Sequence, residues 1–573
     1  MASHNRSEVH LGNPRLRDAA LVTVLFISSW GGGALLGCGA SSSSGQRTGS
    51  GGSPSSGSSG GTSGGGNGGT AGSSSGGSSG GVVGTGGVVG TGGGVGSGGS
   101  GAAGVGAGGA GTGGAAPGGV GGGAAGSSGA VTVQLDKIEQ TIDGFGINDS
   151  WAPAMTSAQA TALFSATNGI GLTILRVGMG SNGMPISANI PGDITMAKNA
   201  GATKIIGSTW SPPGAACKSG QTPLDSANPD NNGGHVLMSC YTSWATSIKN
   251  FAVSQGLYAM SIANEPDFAS CGASEPCNGN YPTTLYTANE MVTFVKVVGP
   301  MLQAAGIKVM APEASEWNHT WSNTSACCSV PSGRNSSDPL KCGFPPASAA
   351  CATGGGYDYG HYLYKDSAAW AAFDILGVHE YDSQAAQPWP SDVPAKKPVW
   401  QTEMSGVKWW AEQGPSTDIN NGVVVGGWIH DALVNGQVSA WLWWWYQANN
   451  TDDNEGLILK NGNDTKRHYV LGNYSKFVRP GYSRVDIGGA VPAGVLLSAY
   501  KGTDGTVAVV AINRGTSSVS VPIAISGGTA PASMTPWVTS ATDNLASKAA
   551  VTVSGGSFTA TLAATTVTTF VGK

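Results

Sequence analysis

The chain has 573 residues, 95 of them glycine and only 11% charged, with a formal net charge of −5. So sparse and mildly acidic a charge excludes an electrostatic grip on nucleic acid or anionic lipid and points to a neutral substrate. The glycine excess excludes one uniform globular domain, because most of it falls between Gly39 and Gly129.

In chain order, Arg15 and Arg17 precede the apolar run Ala20 to Ile27, and Leu35-Leu36-Gly37-Cys38 follows. The apolar core is too short to span a bilayer and matches the h-region of an export signal. Its end resembles a bacterial lipoprotein box, which implies lipidation of Cys38. Leu36 is bulkier than the usual residue there, so cleavage without lipidation stays open. Residues 1–38 are therefore read as a lipoprotein-type signal. The protein is expected to be exported, as a cell-surface or outer-membrane lipoprotein or as a secreted form. A lipid on Cys38 would be its only membrane attachment.

Residues 39–129 are nearly all Gly, Ser, Ala, Thr and Val, with Arg47 as the only charge. Such a stretch cannot bury enough apolar surface to offset chain entropy, and it reads as a disordered tether spanning about 50 Å. Setting Cys38 aside leaves Cys217, Cys240, Cys271, Cys277, Cys327, Cys328, Cys342 and Cys351, an even set that implies disulfides in an exported chain. Cys217 with Cys240 and Cys271 with Cys277 are the expected pairs, each bridging a loop. No paired C-x-x-C and no His at finger spacing is present, so neither metal nor cofactor is expected.

From residue 130 onward, short apolar runs alternate with helix-like segments. The runs are Thr141 to Gly146, Leu172 to Val177, Lys204 to Trp210, Tyr258 to Asp267, Lys308 to Glu313, Phe373 to His379, Pro398 to Glu403 and Ala440 to Tyr446. Candidate helices include Tyr241 to Gln255, Ala288 to Ala305 and Gly427 to Asn435. Alternation of this kind predicts a (β/α)8 TIM barrel over residues 130–477, with its active site at the C-terminal strand ends. From residue 478 to 573 the texture turns β-rich, with Val495 to Tyr500, Thr506 to Ile512, Ser518 to Ile523 and Thr565 to Val571 separated by Gly/Ser/Asp turns. That pattern predicts a C-terminal side β-sandwich.

Two of the runs stop at a glutamate. Ser261-Ile262-Ala263-Asn264 leads into Glu265 and Pro266, and Val399-Trp400-Gln401-Thr402 leads into Glu403. Two carboxylates on the ends of strands four and seven are what glycoside hydrolysis needs, one to protonate the leaving oxygen and one to attack the anomeric carbon. Trp210, Trp317 and the Trp443/Trp445 face are candidate sugar-stacking platforms, although a lone Trp is more often core.

Gln140 to Gly146, Ile174-Leu175-Arg176, Ala263 to Asp267, Asp374 to His379, Ser475 to Tyr482 and Val567 to Val571 together resemble glycoside hydrolase family 30, nearest its bacterial (glucurono)xylanase branch. The resemblance implies a retaining hydrolase in which Glu265 is the acid/base and Glu403 the nucleophile. It also implies that Asn264 holds the substrate 2-hydroxyl, that Arg176 sits beside the nucleophile, and that Tyr381 hydrogen-bonds it. His379 shares the face of Tyr381, with a packed core histidine as the bland alternative. A strand within 130–142, Val131 to Leu135, would complete the side sandwich.

The sequence departs from glucuronoxylanases after strands seven and eight. The first loop, Glu403 to Lys408, lacks the tyrosine pair expected there. The second, Gln447 to Glu455, offers Asp452, Asp453 and Glu455 and no Arg. Those acids would repel a glucuronate branch or, as a rival reading, take up a cation such as calcium. The expectation is a monomeric endo-β-1,4-xylanase that acts on plant cell-wall polysaccharide without depending on glucuronate. The alternatives are a β-1,6-glucanase or glucosylceramidase-like hydrolase, and a surface carbohydrate-binding protein that has lost catalysis.

Overall fold

The computed structural model describes residues 130–222, 233–267, 284–321, 358–381, 385, 389–406, 415–448 and 454–573, all within the compact unit Gly118–Lys573. The expected signal, Cys38, the tether, the six cysteines from Cys271 to Cys351, Lys408, Asp452 and Asp453 lie outside the described residues.

Eight strands, Gly144–Asn148, Ile174–Met179, Lys204–Thr209, Ala259–Ser261, Lys308–Ala314, Ile375–His379, Val399–Glu403 and Ala440–Gln447, pair in parallel in chain order. The seventh pairs with the eighth at Trp400 and Ala440, and the eighth with the first at Ala440 and Gly144, so the ring closes. Inside, Ile174, Ile206, Ala259, Met310, Ile375, Trp400, Ala440 and Leu442 form an apolar layer. The first strand contributes only Gly146 there. A Cβ at that position would stand 2.8 Å from both Ile174 Cβ and Leu442 Cγ, so a larger residue would force the layer apart. Below it, Trp400 Nε1 donates to Asp143 Oδ2 at 2.9 Å and Lys204 Nζ to the Asp143 carbonyl at 2.7 Å, which closes the floor with polar groups satisfied.

The outer helices carry the signals that start them. Thr287 and Glu290 form a capping box for Ala288–Ala304, and Thr156 and Gln159 one for Ser157–Phe164. One helix is longer than its sequence suggests, running Ile419–Val434 rather than from Gly427, because the Asp418 side chain caps its first turn. Gly426 within it lets the backbone approach the β-domain, where a Cβ would already be 3.2 Å from Ile512 Cδ1.

The β-domain is a ten-stranded sheet built mainly from Ser483 to Gly572. Val131–Thr141, ahead of the barrel, lies between Ser483–Gly488, to which it is antiparallel, and Val519–Ser526, to which it is parallel. Alternate residues such as Val131, Val133, Val521, Ile523, Phe558 and Phe570 point into one core. Helix Lys466–Ser475 ties the domain to the barrel. Its Asn473 donates to the Trp537 carbonyl at 2.9 Å and accepts from Thr539 Oγ1 at 2.6 Å. Beside the third and fourth strands, Lys218–Thr222, Gly233–Val236 and Thr284–Leu285 form a small sheet whose base is pinned by the Cys217–Cys240 disulfide, one of the expected pairs. No helix among the described residues is long and apolar enough to cross a membrane.

Candidate active site

One step above the apolar layer, the inward side chains turn polar. Arg176 follows Ile174 and Ser208 follows Ile206 on the same faces, because strand side chains repeat every second residue. On three other strands that parity is reset. Pairing of the fifth and sixth strands jumps from Pro312–Gly377 to Ala314–Val378, leaving Glu313 as a bulge. Pairing of the sixth and seventh jumps from Val378–Gln401 to His379–Glu403, leaving Thr402 out. The eighth strand skips Trp444 against the first. Each extra residue re-aims the side chains that follow it. Glu265 and Glu313 also hold left-handed backbones, φ 45° and 61°, and the Glu265 N–H donates to the Glu313 carbonyl at 3.0 Å. A non-glycine residue in that region costs on the order of 1–3 kcal/mol, and such strain collects at functional sites.

Arg176, fully buried, organises the cluster. Its Nη1 donates to Glu403 Oε2 at 2.6 Å, its Nη2 to Asn264 Oδ1 at 2.6 Å and its Nε to Glu313 Oε1 at 3.1 Å. Tyr381 Oη donates to the other oxygen of Glu403 at 2.8 Å, and His379 Nδ1 lies 3.0 Å from Glu265 Oε1. An oxygen of Glu265, a nitrogen of His379 and an oxygen of Glu403 all lie within 4.8 Å of one another. The five expected site residues Glu265, Glu403, Asn264, Arg176 and His379 therefore meet in one cluster, with Tyr381 at its edge.

Burial disfavours charge throughout, and the partners decide what survives it. It pushes Glu313 up, but Arg176, His379 and the Ser208 hydroxyl outweigh it and bring Glu313 down to about 2. For His379 burial works against the proton, and Glu403, Glu265 and Glu313 overcome it, lifting the imidazole to about 9. On Glu403 burial is the largest influence and raises the carboxyl, Glu265 adds to it, and His379 and Arg176 hold it back. The spacing of Glu265, His379 and Glu403 would let three side chains reach a cation. Arg176 and protonated His379 already supply positive charge there, so the donor set does not favour one.

The tryptophan candidates separate. Trp210 is fully buried, with the Arg176 guanidinium 4.4 Å from its ring centroid and Trp151 edge-on at 5.3 Å; it supports the arginine and presents no face to a sugar. Trp317 is packed in the outer core beside Gly436. Trp443 is also core, with Arg467 over its ring and Nε1 donating to the Glu455 carbonyl at 2.7 Å. Only Trp445 is half-buried, stacked on Trp444 and held by a 2.7 Å hydrogen bond to the Ser150 carbonyl.

Sequence reasoning missed three participants. Glu313 ends a strand-like run as Glu265 and Glu403 do, and that was its available signal. Asp267 accepts from the Ser315 amide at 3.0 Å and from its hydroxyl at 2.7 Å, and pairs with His319 Nδ1, which pins the loop after the fifth strand to the Glu265 turn. Two carboxylates, Asp267 and Glu316, outweigh burial and push His319 up to about 9.

A model described as the glycosyl hydrolase family 30 beta sandwich domain matches residues 483–570. The chain is 30% identical over 461 residues to the glucuronoxylanase XynC of Bacillus subtilis (strain 168), covering 77% of this chain and 91% of that protein. Among solved structures, a GH30 endoxylanase from Clostridium papyrosolvens C71 is 26% identical with a TM-score of 0.58, over 78% of this chain and 100% of the other. The subfamily 8 xylanase Xyn30A from Clostridium acetobutylicum is 26% identical with a TM-score of 0.59, over 78% and 99%.

Proposed function

The chain belongs to glycoside hydrolase family 30, and on that premise we propose that this O-glycosyl hydrolase is a retaining endo-β-1,4-xylanase that does not require glucuronate branches. The observation that carries the reading is the facing pair, Glu265 and Glu403, with an oxygen of each within 4.8 Å. Carboxyl groups about 5–5.5 Å apart suit direct attack on the anomeric carbon, whereas inversion needs about 6.5–9.5 Å to admit a water between them.

The roles follow from charge. The cluster holds three carboxylates, Glu265, Glu313 and Glu403, against two cations, Arg176 and His379. Neutrality leaves one proton for a carboxyl. Arg176 grips Glu313 and Glu403, so Glu265 carries the proton to the leaving oxygen, and Glu403, gripped by Arg176 and Tyr381, attacks. After the leaving group departs, Glu265 takes a proton from water and the glycosyl ester on Glu403 is hydrolysed. Asn264 Nδ2 is buried without a protein partner and supports a role in holding a substrate hydroxyl.

Xylan as substrate comes from the relatives, and independence from glucuronate from the sequence. A branch carboxylate is best read by a bidentate Arg, and the loop Gln447 to Glu455 has acids and no Arg. Kinetics on matched branched and debranched xylooligosaccharides test this. The expected ratio of kcat/KM is below about tenfold, that is under ~1.4 kcal/mol of transition-state binding. Glu403→Ala should abolish turnover and regain it with azide as the inverted glycosyl azide. A hundredfold preference for the branched substrate would overturn the specificity, and wild-type-like turnover by Glu403→Ala the mechanism.

A further inference from the structure

The third carboxylate of the cluster has no part in the two-glutamate chemistry, yet it is tied on several sides. Glu313 is fully buried, accepts from Arg176 Nε at 3.1 Å and from the Ser208 hydroxyl, and lies 3.9 Å from His379 Nε2. Its carbonyl accepts the Glu265 amide, and its own left-handed backbone is the bulge that turns it inward. A mere structural ion pair for Arg176 would not require a strained residue at a strand end, nor contact with both of the elements that carry Glu265 and His379.

We propose that Glu313 is a positioning residue for the hydrolysis: its carboxylate fixes Arg176 in the one orientation that serves Glu403 and Asn264 together, and its negative charge sets how readily the Glu265–His379–Glu403 cluster gives up a proton. This rests on the double-displacement reading above. The geometry explains both halves. Arg176 has five donors in a rigid fork, and anchoring Nε on Glu313 leaves Nη1 and Nη2 aimed at Glu403 and Asn264. Glu313 itself stays ionised across the working range, because burial is outweighed by Arg176, His379 and Ser208.

Among the described residues, the charged and titratable groups facing this cluster are Arg176 on the second strand, Glu265 after the fourth, Glu313 on the fifth, His379 and Tyr381 on and after the sixth, and Glu403 on the seventh. Removing one fixed negative charge from that set leaves the remainder more positive. A more positive cluster releases its proton at lower pH, so the alkaline limb of kcat/KM must move down.

The test is the pH dependence of kcat and kcat/KM for wild type, Glu313→Gln and Glu313→Asp on one unbranched xylooligosaccharide, with thermal unfolding measured in parallel. Glu313→Gln should lose activity mainly in kcat and shift the alkaline limb down by about half a pH unit or more. Glu313→Asp keeps the charge but withdraws it by one methylene, so it should lose kcat by about tenfold or more with the limb in place. An unmoved limb in Glu313→Gln, or wild-type kcat in Glu313→Asp, overturns the inference. If Glu313→Gln fails to fold, the Glu313→Asp result alone decides. A wild type with no alkaline limb would instead overturn the acid/base reading itself, so the two failures are distinguishable.

Discussion

Replacing Arg176 with lysine tests the centre of the site while keeping its charge. The guanidinium makes three hydrogen bonds in fixed directions, to Glu403 at 2.6 Å, Asn264 at 2.6 Å and Glu313 at 3.1 Å. An ammonium is a single point charge and can hold only one of those partners at full strength. Losing two charge-assisted bonds at about 1.5–3 kcal/mol each removes about 3–6 kcal/mol in total. All three partners are buried, so water does not make good the loss. If half of it falls on the transition state, kcat/KM drops by roughly 10- to 150-fold, with the rest seen as reduced unfolding free energy. The shorter lysine would also hold its charge farther from Glu403, weakening the attraction that keeps that carboxyl down against burial, so the acidic limb of kcat/KM should move to higher pH. Initial rates across pH together with denaturant unfolding measure both parts. A variant within threefold of wild type in kcat/KM, with an unmoved acidic limb, would refute the reasoning.

Glu380 is fully buried, accepting among the described residues the Ala385 amide at 3.1 Å and Trp441 Nε1 at 3.4 Å, and burial lifts it from 4.5 to about 7. A carboxyl raised on folding favours the native state below its unfolded value and withdraws that favour as pH climbs through the folded one. Glu380→Gln should therefore gain up to about 3 kcal/mol over wild type above pH 7, at about 1.4 kcal/mol per pH unit, and show no gain below pH 4.5; urea unfolding at the two extremes checks it, and a variant less stable at both would sink it. Trp445→Ala should raise KM with little loss of stability, whereas Trp443→Ala should lose about 3–5 kcal/mol of stability with KM retained, and the reverse pattern would show that the core tryptophan contacts the sugar.

The barrel was legible because a strand buried on both faces is an apolar run, and its C-terminal end is where polar chemistry begins. Glu265 and Glu403 could be found that way without knowing any neighbour. What escaped was everything that depends on parity near the strand ends. The eighth strand reads Ala440-Trp441-Leu442-Trp443-Trp444-Trp445-Tyr446, with no polar alternation to show which tryptophans face inward. The structure puts Ala440 and Leu442 inside and Trp441 and Trp443 on the opposite, outer face, and the bulge at Trp444 then breaks the count before the half-buried Trp445. Glu313 was hidden likewise: its partner Arg176 lies 137 residues away, and only a bulge and a left-handed backbone turn it inward. A one-residue insertion in a pairing leaves no compositional trace, since it is fixed by the neighbouring strand and not by the strand itself.

The same geometry separates reaction from specificity. Both cations of the cluster are committed, Arg176 to Glu313 and Glu403, and His379 to Glu265. A carboxylate arriving on a substrate branch could draw on neither without unbalancing the charge that, on the proposed mechanism, sets the acid and the nucleophile apart. An acidic branch must then be read by a cation brought in from elsewhere, on a loop. In the loops after strands seven and eight, the sequence from Glu403 to Lys408 and from Gln447 to Glu455 supplies Lys408 against Asp452, Asp453 and Glu455. An ammonium on a flexible stem reads a carboxylate as a point charge, without the directional grip of an Arg fork. On the proposed reading the strand ends carry the cleavage chemistry, and the sequence of the two loops, with three acids, one lysine and no Arg, supports an unbranched and neutral chain as the substrate.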